Sequence, residues 1–548
     1  MNNEDNKTIV SDTNHVNSES TSKKTLLKHG TSLSFLTFIS RILGLLREMT
    51  KSAFMGTSAI ADAFAIAFLI PNLLRRLFAE NSITVAFIPT FKKYLDESKN
   101  RKDNDTKKEL KEFLSSIFTL LTFLTTTVVL IGIIITPIIL KLAFPHLGET
   151  FSLTVLLTRI MFPYLICISI AAFFQGILNG VKIFSPSGIT PILFNIIVIG
   201  CTYILTDYFN NASIAMAIGV ALGGIVQALF QLPFVLTKFR FSIINLKKVV
   251  TNEGTKKVVA LFVPTFFGMA AYQLNDLICS SLAKYAGTGV LSSLQYSMRL
   301  QEVLLGVFAV SVGTVILPDL SSYASKKDWQ QFQNILETAI KTIALITIPA
   351  TFFSLFTGEH IITLIYKTRN FTNESVHLTL SAFTFHIAVL FFIALNRILA
   401  PAFYAQGNSK YPALAGIVSV FVNTATAIIL VNTMSGPAGL ALSLAISSIA
   451  NTVLLFVFLN KNQVLHISTI IKKTVFAILK MSVFSIIACI PLFLCSTALY
   501  QFFEGHNRII SEGIPLFIQF IIFSTIGIAL LIITKDTLIR SILKKVKR

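Results

Sequence analysis

The chain has 548 residues, 53% of them hydrophobic and only 13% charged, where a soluble domain carries about 25% charged residues. Mean hydropathy is +0.73, an apolar excess that no soluble core absorbs and that must face lipid. The net charge of +20 would point to nucleic acid on a soluble protein. Here the basic residues crowd the connections between apolar runs, as cytoplasmic loops do, so no nucleic-acid partner is expected. The five cysteines form no C-x-x-C pair, so neither a disulfide framework nor a metal cluster is expected. Residues 1–30 are polar and mix acids with lysines, which reads as a disordered cytoplasmic tail.

Fourteen apolar stretches follow, each near the roughly 20 residues that a membrane-spanning helix needs. They cover 31–55, 60–90, 112–141, 152–178, 188–206, 213–236 and 257–283, then 290–318, 337–357, 377–403, 411–431, 437–460, 474–500 and 513–534. The 92–111 connection carries eight Lys or Arg, and the 238–257 connection and the 535–548 tail carry six each. The opposite connections hold Lys141, Lys284, Lys367, Arg369 and Arg508. That asymmetry places both termini in the cytoplasm.

Two short segments recur. Ala86-Phe-Ile-Pro-Thr-Phe-Lys-Lys-Tyr94 resembles Val315-Ile-Leu-Pro-Asp-Leu-Ser-Ser-Tyr323, and Ile177-Leu178 leads to Pro191 as Ile398-Leu399 leads to Pro412. Spans one to six then duplicate as seven to twelve, giving halves of like orientation around a central cavity. The expected plan is an all-α polytopic membrane protein with 14 transmembrane helices. Two pseudo-symmetric six-helix lobes, 31–236 and 257–460, surround a central cationic cavity. A basic linker at 237–256 joins them, two C-terminal helices occupy 461–534, and a basic tail ends the chain at 535–548.

A charge at mid-membrane costs about 2.5–3.5 kcal/mol on insertion scales and so marks a candidate site. The first span carries Arg41, Arg47, Glu48 and Lys51. The second carries Asp62, Asn72, Arg75, Arg76 and Glu80, with Pro71 expected to kink it. Asn72, Arg76 and Glu80 fall on one helical face and Arg75 on another. The eighth span adds Arg299 and Glu302. Arg76–Glu80 and Arg299–Glu302 have intrahelical salt-bridge spacing, and a structural role for each weighs evenly against a functional one. Lys51 and Lys341 read as snorkelling lysines, and Arg159 and Arg397 as structural. Arg41, Arg47 and Arg75 have no opposite charge three or four positions away. The cationic surplus suits an anionic amphiphile, because the planar guanidinium matches phosphate oxygens in pairs. Asp276, beside Asn275 in the seventh span, suits a coupling Na⁺ or H⁺, or a partner on a neighbouring helix. There is no G-x-x-x-x-G-K-[ST] and no H-E-x-x-H, so an enzyme or an ATP-driven pump is not expected.

Ser40-Arg-Ile-Leu-Gly-Leu-Leu-Arg-Glu48, Ala61-Asp-Ala-Phe64, Ile70-Pro-Asn-Leu-Leu-Arg-Arg-Leu-Phe-Ala-Glu80 and Ala86-Phe-Ile-Pro89 resemble the N-terminal signature of the lipid II flippase family (MurJ, or MviN). Phe162-Pro-Tyr164, Tyr296-Ser-Met-Arg-Leu-Gln-Glu302, Gly313-Thr-Val-Ile-Leu-Pro318 and Leu399-Ala-Pro-Ala-Phe-Tyr404 extend the likeness past residue 404. The resemblance implies the MOP-exporter fold, with the two last helices lining a groove for a lipid tail. It implies transfer of undecaprenyl-pyrophosphate-linked peptidoglycan precursor to the outer leaflet of the bacterial cytoplasmic membrane. It assigns activity or diphosphate binding to Arg41, Arg47, Arg75 and Arg299, and implicates Asp62. Glu48 stands where many members have Asp. Asp276 matches a position of a Na⁺ site in some members, with Asn423 as a second ligand, but Ala427 offers no oxygen where a polar ligand is expected. No other cofactor is expected. The partners are lipid II and membrane lipids, with the cell-wall synthesis machinery left open, and the chain is expected to be a monomer. The competing readings are an exporter of another polyprenyl-linked glycan or of drugs, and a non-transporting scaffold.

Overall fold

The computed structural model describes residues 35–77, 87–101, 103–461 and 464–535; along 264–272, 307–315 and 317–318 it describes the backbone alone. The polar 1–30 segment, Glu80, Ala86 and residues 536–548 of the basic tail lie outside the described residues, so the Arg76–Glu80 pair does as well. Among the described residues there is no strand.

Helix α1 covers 35–55 and α2 covers Ala59–Arg75. Then come α3 (Ile88–Arg101), α4 (Asn104–Ala143), α5 (Phe151–Met161), α6 (Tyr164–Gly180), α7 (Ser185–Phe209) and α8 (Ala212–Leu236). A short α9 (Leu246–Thr251) leads to α10 (Glu253–Ala286), α11 (Val290–Ser325) and α12 (Trp329–Tyr366). The chain continues through α13 (Asn373–Ala388), α14 (Leu390–Ala405), α15 (Lys410–Thr433) and α16 (Ala438–Leu459). It ends with α17 (Ile467–Phe502) and α18 (Ile514–Ile533).

Among the described residues nine helical segments are long and apolar enough to cross a membrane, or ten if α13 and α14 form one bent span. Helix α1 fails that test on its own because Arg41, Arg47, Glu48 and Lys51 crowd its 21 residues, and α2 is described over only 17. Several helices begin in polar connections behind side-chain caps. Asp103 Oδ1 accepts from the Thr106 amide at 2.7 Å, Asn252 from Thr255 at 2.9 Å, and Asp328 from Gln331 at 3.1 Å.

The expected 377–403 span is broken at Val389 with a 44° bend. No proline or glycine stands at the break. Side chains of neighbouring helices take the carbonyls that a continuous helix would use. Gln301 donates to the His386 carbonyl, and Thr351 donates to that of Ile387 at 3.2 Å. Inside a membrane a helix breaks only where such donors satisfy the freed backbone.

The chain divides into two compact units, 1–47 with 67–137 and 155–270, and 48–66 with 138–154 and 271–548. These are not the expected 31–236 and 257–460 halves, because 48–66 and 138–154 group with the second unit and 257–270 with the first. The reason for the first of these lies in the hydrogen bonds of residues 52–62 described below. The core of the first unit is aromatic, with Phe87 stacked on Phe91 and Phe113 at 5.4 and 5.9 Å between ring centroids. The second has an aliphatic core in which Phe332, Leu336, Ile340, Leu395, Ile398 and Leu455 are buried.

Candidate functional site

In the first unit the expected cationic residues sit on two helices. Arg41 and Arg47 are half-buried on α1. The Arg47 guanidinium carbon lies 5.7 Å from the centroid of the Phe194 ring on α7, within cation–π reach. The neighbouring Asn195 donates to the Ser40 carbonyl at 3.4 Å, tying α1 to α7 beside Arg41. On α2, Arg75 Nε donates to Asn72 Oδ1 at 2.9 Å. The sequence put Asn72 on the face of Arg76; the structure uses it to aim Arg75. Arg76 is half-buried.

Arg75 also lines a cavity of about 270 Å³ within this unit, with Gln175, Asn179, Ser187, Thr190, Gln227 and Gln231. Four of these carry a buried polar atom without a protein hydrogen-bond partner: Asn179 Oδ1, Ser187 Oγ, Gln227 Oε1 and Gln231 Oε1. Buried polar atoms are nearly always satisfied, so the cavity suits a polar occupant or water. The sequence reading missed this wall. The signal was present in Gln227 and Gln231, four apart on one face of an apolar helix.

In the second unit the turn between α1 and α2 is clasped by α11 and by the segment joining α12 to α13. Asp62 is fully buried. Its Oδ2 accepts from the Gly289 amide at 2.7 Å and its Oδ1 from the Ser292 amide at 3.0 Å. These are donors of the first turn of α11, where a negative charge is favoured. The Lys284 ammonium stands 3.9 Å away. Around the turn, the Tyr296 hydroxyl donates to the Gly56 carbonyl at 2.9 Å. Asn370 Nδ2 donates to the carbonyls of Ala53 and Phe54 at 2.8 and 3.2 Å. Thr57 and Ser375 share a hydroxyl hydrogen bond of 2.7 Å.

Two glycines make this approach possible. Gly56 has φ +57, and a Cβ there would lie 2.0 Å from the Asn370 carbonyl oxygen. Gly289 has φ +80, and its Cβ would lie 2.4 Å from the Thr57 carbonyl oxygen. Gly56→Ala is therefore expected to part the turn from Asn370. Faster labelling of a cysteine introduced at Ser375 by a membrane-impermeant maleimide measures this, and an unchanged labelling rate refutes it.

Lys51 does not snorkel. It is 3% exposed, donates to Gln295 Oε1 at 2.8 Å, and lies 5.0 Å from the Tyr296 ring centroid. Arg299 and Glu302 on α11 form the expected pair at 3.1 Å, and Glu302 remains half exposed. Arg159 donates to the Ile133 carbonyl at 3.0 Å, a contact between helices of the first unit.

Asn423 on α15 is buried. Its Nδ2 donates to Asn275 Oδ1 at 3.1 Å and to the Cys279 sulfur at 3.2 Å. Its Oδ1 accepts from Ser443 at 3.1 Å, and Thr424 donates to the same Asn275 oxygen at 3.1 Å. Asn275, the neighbour of Asp276, is thus the centre of this cluster, and both amide oxygens already hold protein donors. Ala427, one turn on, buries a methyl group. A neutral donor set satisfied by its own hydrogen bonds does not fit a resident Na⁺, which needs several free oxygens.

The architecture is that of a multi-span helical transporter. A solved multidrug-resistance transporter of the MATE family, in an inward-facing conformation, shares the fold with a TM-score of 0.63 at 15% identity, over 79% of this chain and 96% of that one. The chain belongs to the lipid II flippase MurJ family, whose family profile matches residues 51–511. A probable lipid II flippase MurJ of Treponema pallidum is 47% identical over 527 residues, 96% of this chain and 99% of that one. A probable lipid II flippase MurJ of Vibrio cholerae is 32% identical over 479 residues, 85% of this chain and 88% of that one. The solved structure of a lipid II flippase MurJ in an inward closed conformation matches with a TM-score of 0.75 at 27% identity, over 92% of this chain and 99% of that one. This family is one of flippases, not of catalytic enzymes, and its apolar multi-span members belong to the bacterial inner membrane.

Proposed function

We propose that this chain is a lipid II flippase. It carries the undecaprenyl-pyrophosphate-linked peptidoglycan precursor from the inner to the outer leaflet by alternating access. The observation that carries the reading is the set of half-buried arginines, 41, 47, 75 and 299, within apolar helices of a chain of this family. In this reading fourteen spans form two six-helix lobes around a cationic cavity, and both termini are cytoplasmic, as the loop charges require. Arg41, Arg47, Arg75 and Arg299 hold the diphosphate, while Asn72 positions Arg75. Arg76 and Glu302 adjust the charge of the cavity wall. The last two spans carry the lipid tail, and the clasp around Asp62 closes the outer side.

Depletion of the protein tests the cargo. An external agent that cleaves only outward-facing lipid II should find the precursor accumulated and protected. Precursor that stays accessible outside would assign the transporter another polyprenyl-linked cargo.

The neutral Asn275–Asn423 cluster argues against Na⁺ coupling. We expect replacement of Na⁺ by K⁺ to leave the flipping rate unchanged. Collapse of the membrane potential, worth about 2.3 kcal/mol per charge per 100 mV, or of a proton gradient acting through Asp276, is expected to slow it. Loss of flipping in K⁺ medium at constant potential would overturn this.

A further inference from the structure

Lys341 on α12, Lys472, Lys473 and Lys480 on α17, and Lys535 just past α18 line one cavity of about 500 Å³ in the second unit. Leu345, Phe476, Ala477, Met481 and Thr534 complete its wall, and none of the ten lining residues is acidic. Glu337, one turn before Lys341, binds Lys473 at 2.6 Å and accepts from Gln333 at 3.0 Å. The charge of that acid is therefore offset by a single lysine. The Lys480 ammonium lies 5.5 Å from the Phe484 ring.

Snorkelling accounts for any one of these lysines taken alone. It does not account for five ammonium groups from three helices converging on one cavity, where like charges repel at reduced dielectric unless an anion lies among them. The cavity also borders lipid: Phe476 is 68%, Leu479 59% and Val475 47% exposed along the same helix. Lys535 and the start of α17 lie at the ends that the loop charges assign to the cytoplasm. Basic cavities between spanning helices on that side bind anionic lipid headgroups.

We propose that this cavity holds the headgroup phosphate of an anionic phospholipid of the inner leaflet, with its acyl chains lying along Phe476 and Leu479. The lysines receive the phosphate, and the lipid joins α12, α17 and α18 at their inner ends. This site involves none of the arginines assigned to the cargo and does not depend on what the cargo is.

Native mass spectrometry of the full-length protein, delipidated in neutral detergent, provides the test. Phosphatidylglycerol should bind in preference to phosphatidylcholine of the same chain length. K341Q/K480Q should weaken phosphatidylglycerol roughly 30-fold, at about 1 kcal/mol per lysine, with phosphatidylcholine unchanged. K341R/K480R should bind as the wild type does, which separates lost charge from lost packing. If K341Q/K480Q does not fold, Lys472→Gln and Lys535→Gln, both exposed, carry the same comparison. Equal phosphatidylglycerol binding in wild type and charge-neutral variants overturns the proposal. Displacement of phosphatidylglycerol by equimolar inorganic phosphate would make the cavity a soluble-anion site. Binding of undecaprenyl pyrophosphate there in place of phosphatidylglycerol would make it part of the cargo path, and either result overturns the assignment.

Discussion

Arg75→Ala and Arg47→Ala are expected to abolish flipping while leaving membrane insertion and protein level normal. A charged hydrogen bond is worth about 1.5–3 kcal/mol, and a guanidinium gripping a diphosphate makes two. Loss of about 3 kcal/mol slows a binding-limited step roughly 100-fold. Arg75→Lys should recover only part of the activity, since an ammonium cannot present a planar fork. Asn72→Ala should produce an intermediate defect. It leaves the Arg75 charge in place and removes the 2.9 Å hydrogen bond that aims it. The leaflet assay on depleted cells carrying each variant reads all four. Wild-type flipping in properly inserted Arg47→Ala or Arg75→Ala would sink the diphosphate role. A variant that fails to insert would instead place that arginine among the packing residues, as the scaffold reading requires.

What the sequence makes legible follows from which forces act locally. The apolar runs are visible because a spanning helix satisfies its own backbone, so composition alone reveals it. The pairing of Arg299 with Glu302 was legible for the same reason, being a matter of spacing on one helix. The break at Val389 was not, because the donors that permit it, Gln301 and Thr351, come from distant helices. Lys51 misled in a similar way. Its spacing fits a snorkelling lysine, and only the approach of Gln295 and Tyr296 from α11 holds it inside. Asn72 was assigned to the wrong arginine because ideal helical geometry favours i, i+4 partners, while the side chain that it meets is at i+3. Asp62 could be named from its surroundings in sequence. Its partners could not, since the Gly289 and Ser292 amides lie more than 220 residues away.

Asp62→Ala is expected to unfasten the clasp on the outer side. The substitution leaves two amides of the first turn of α11 without their acceptor and strands Lys284, which is only 8% exposed. Removing one partner of a buried charged pair costs about 3–5 kcal/mol, which moves an equilibrium between closed and open forms by roughly two orders of magnitude or more. Asp62→Asn keeps one acceptor oxygen and should fall between. The readout is a cysteine placed at Thr57, beneath Gly289, probed from outside with a membrane-impermeant maleimide. Labelling should be slow in the Thr57→Cys background and far faster when Asp62→Ala is added, with the protein still inserted at its normal level. Flipping should fall in the same variant, because a transporter that cannot hold its outer side shut cannot keep its inner side open for loading. If labelling is unchanged by Asp62→Ala, the clasp is held by Tyr296, Asn370 and Ser375 without the carboxylate. Any loss of flipping would then belong to Asp62 acting elsewhere in the cycle.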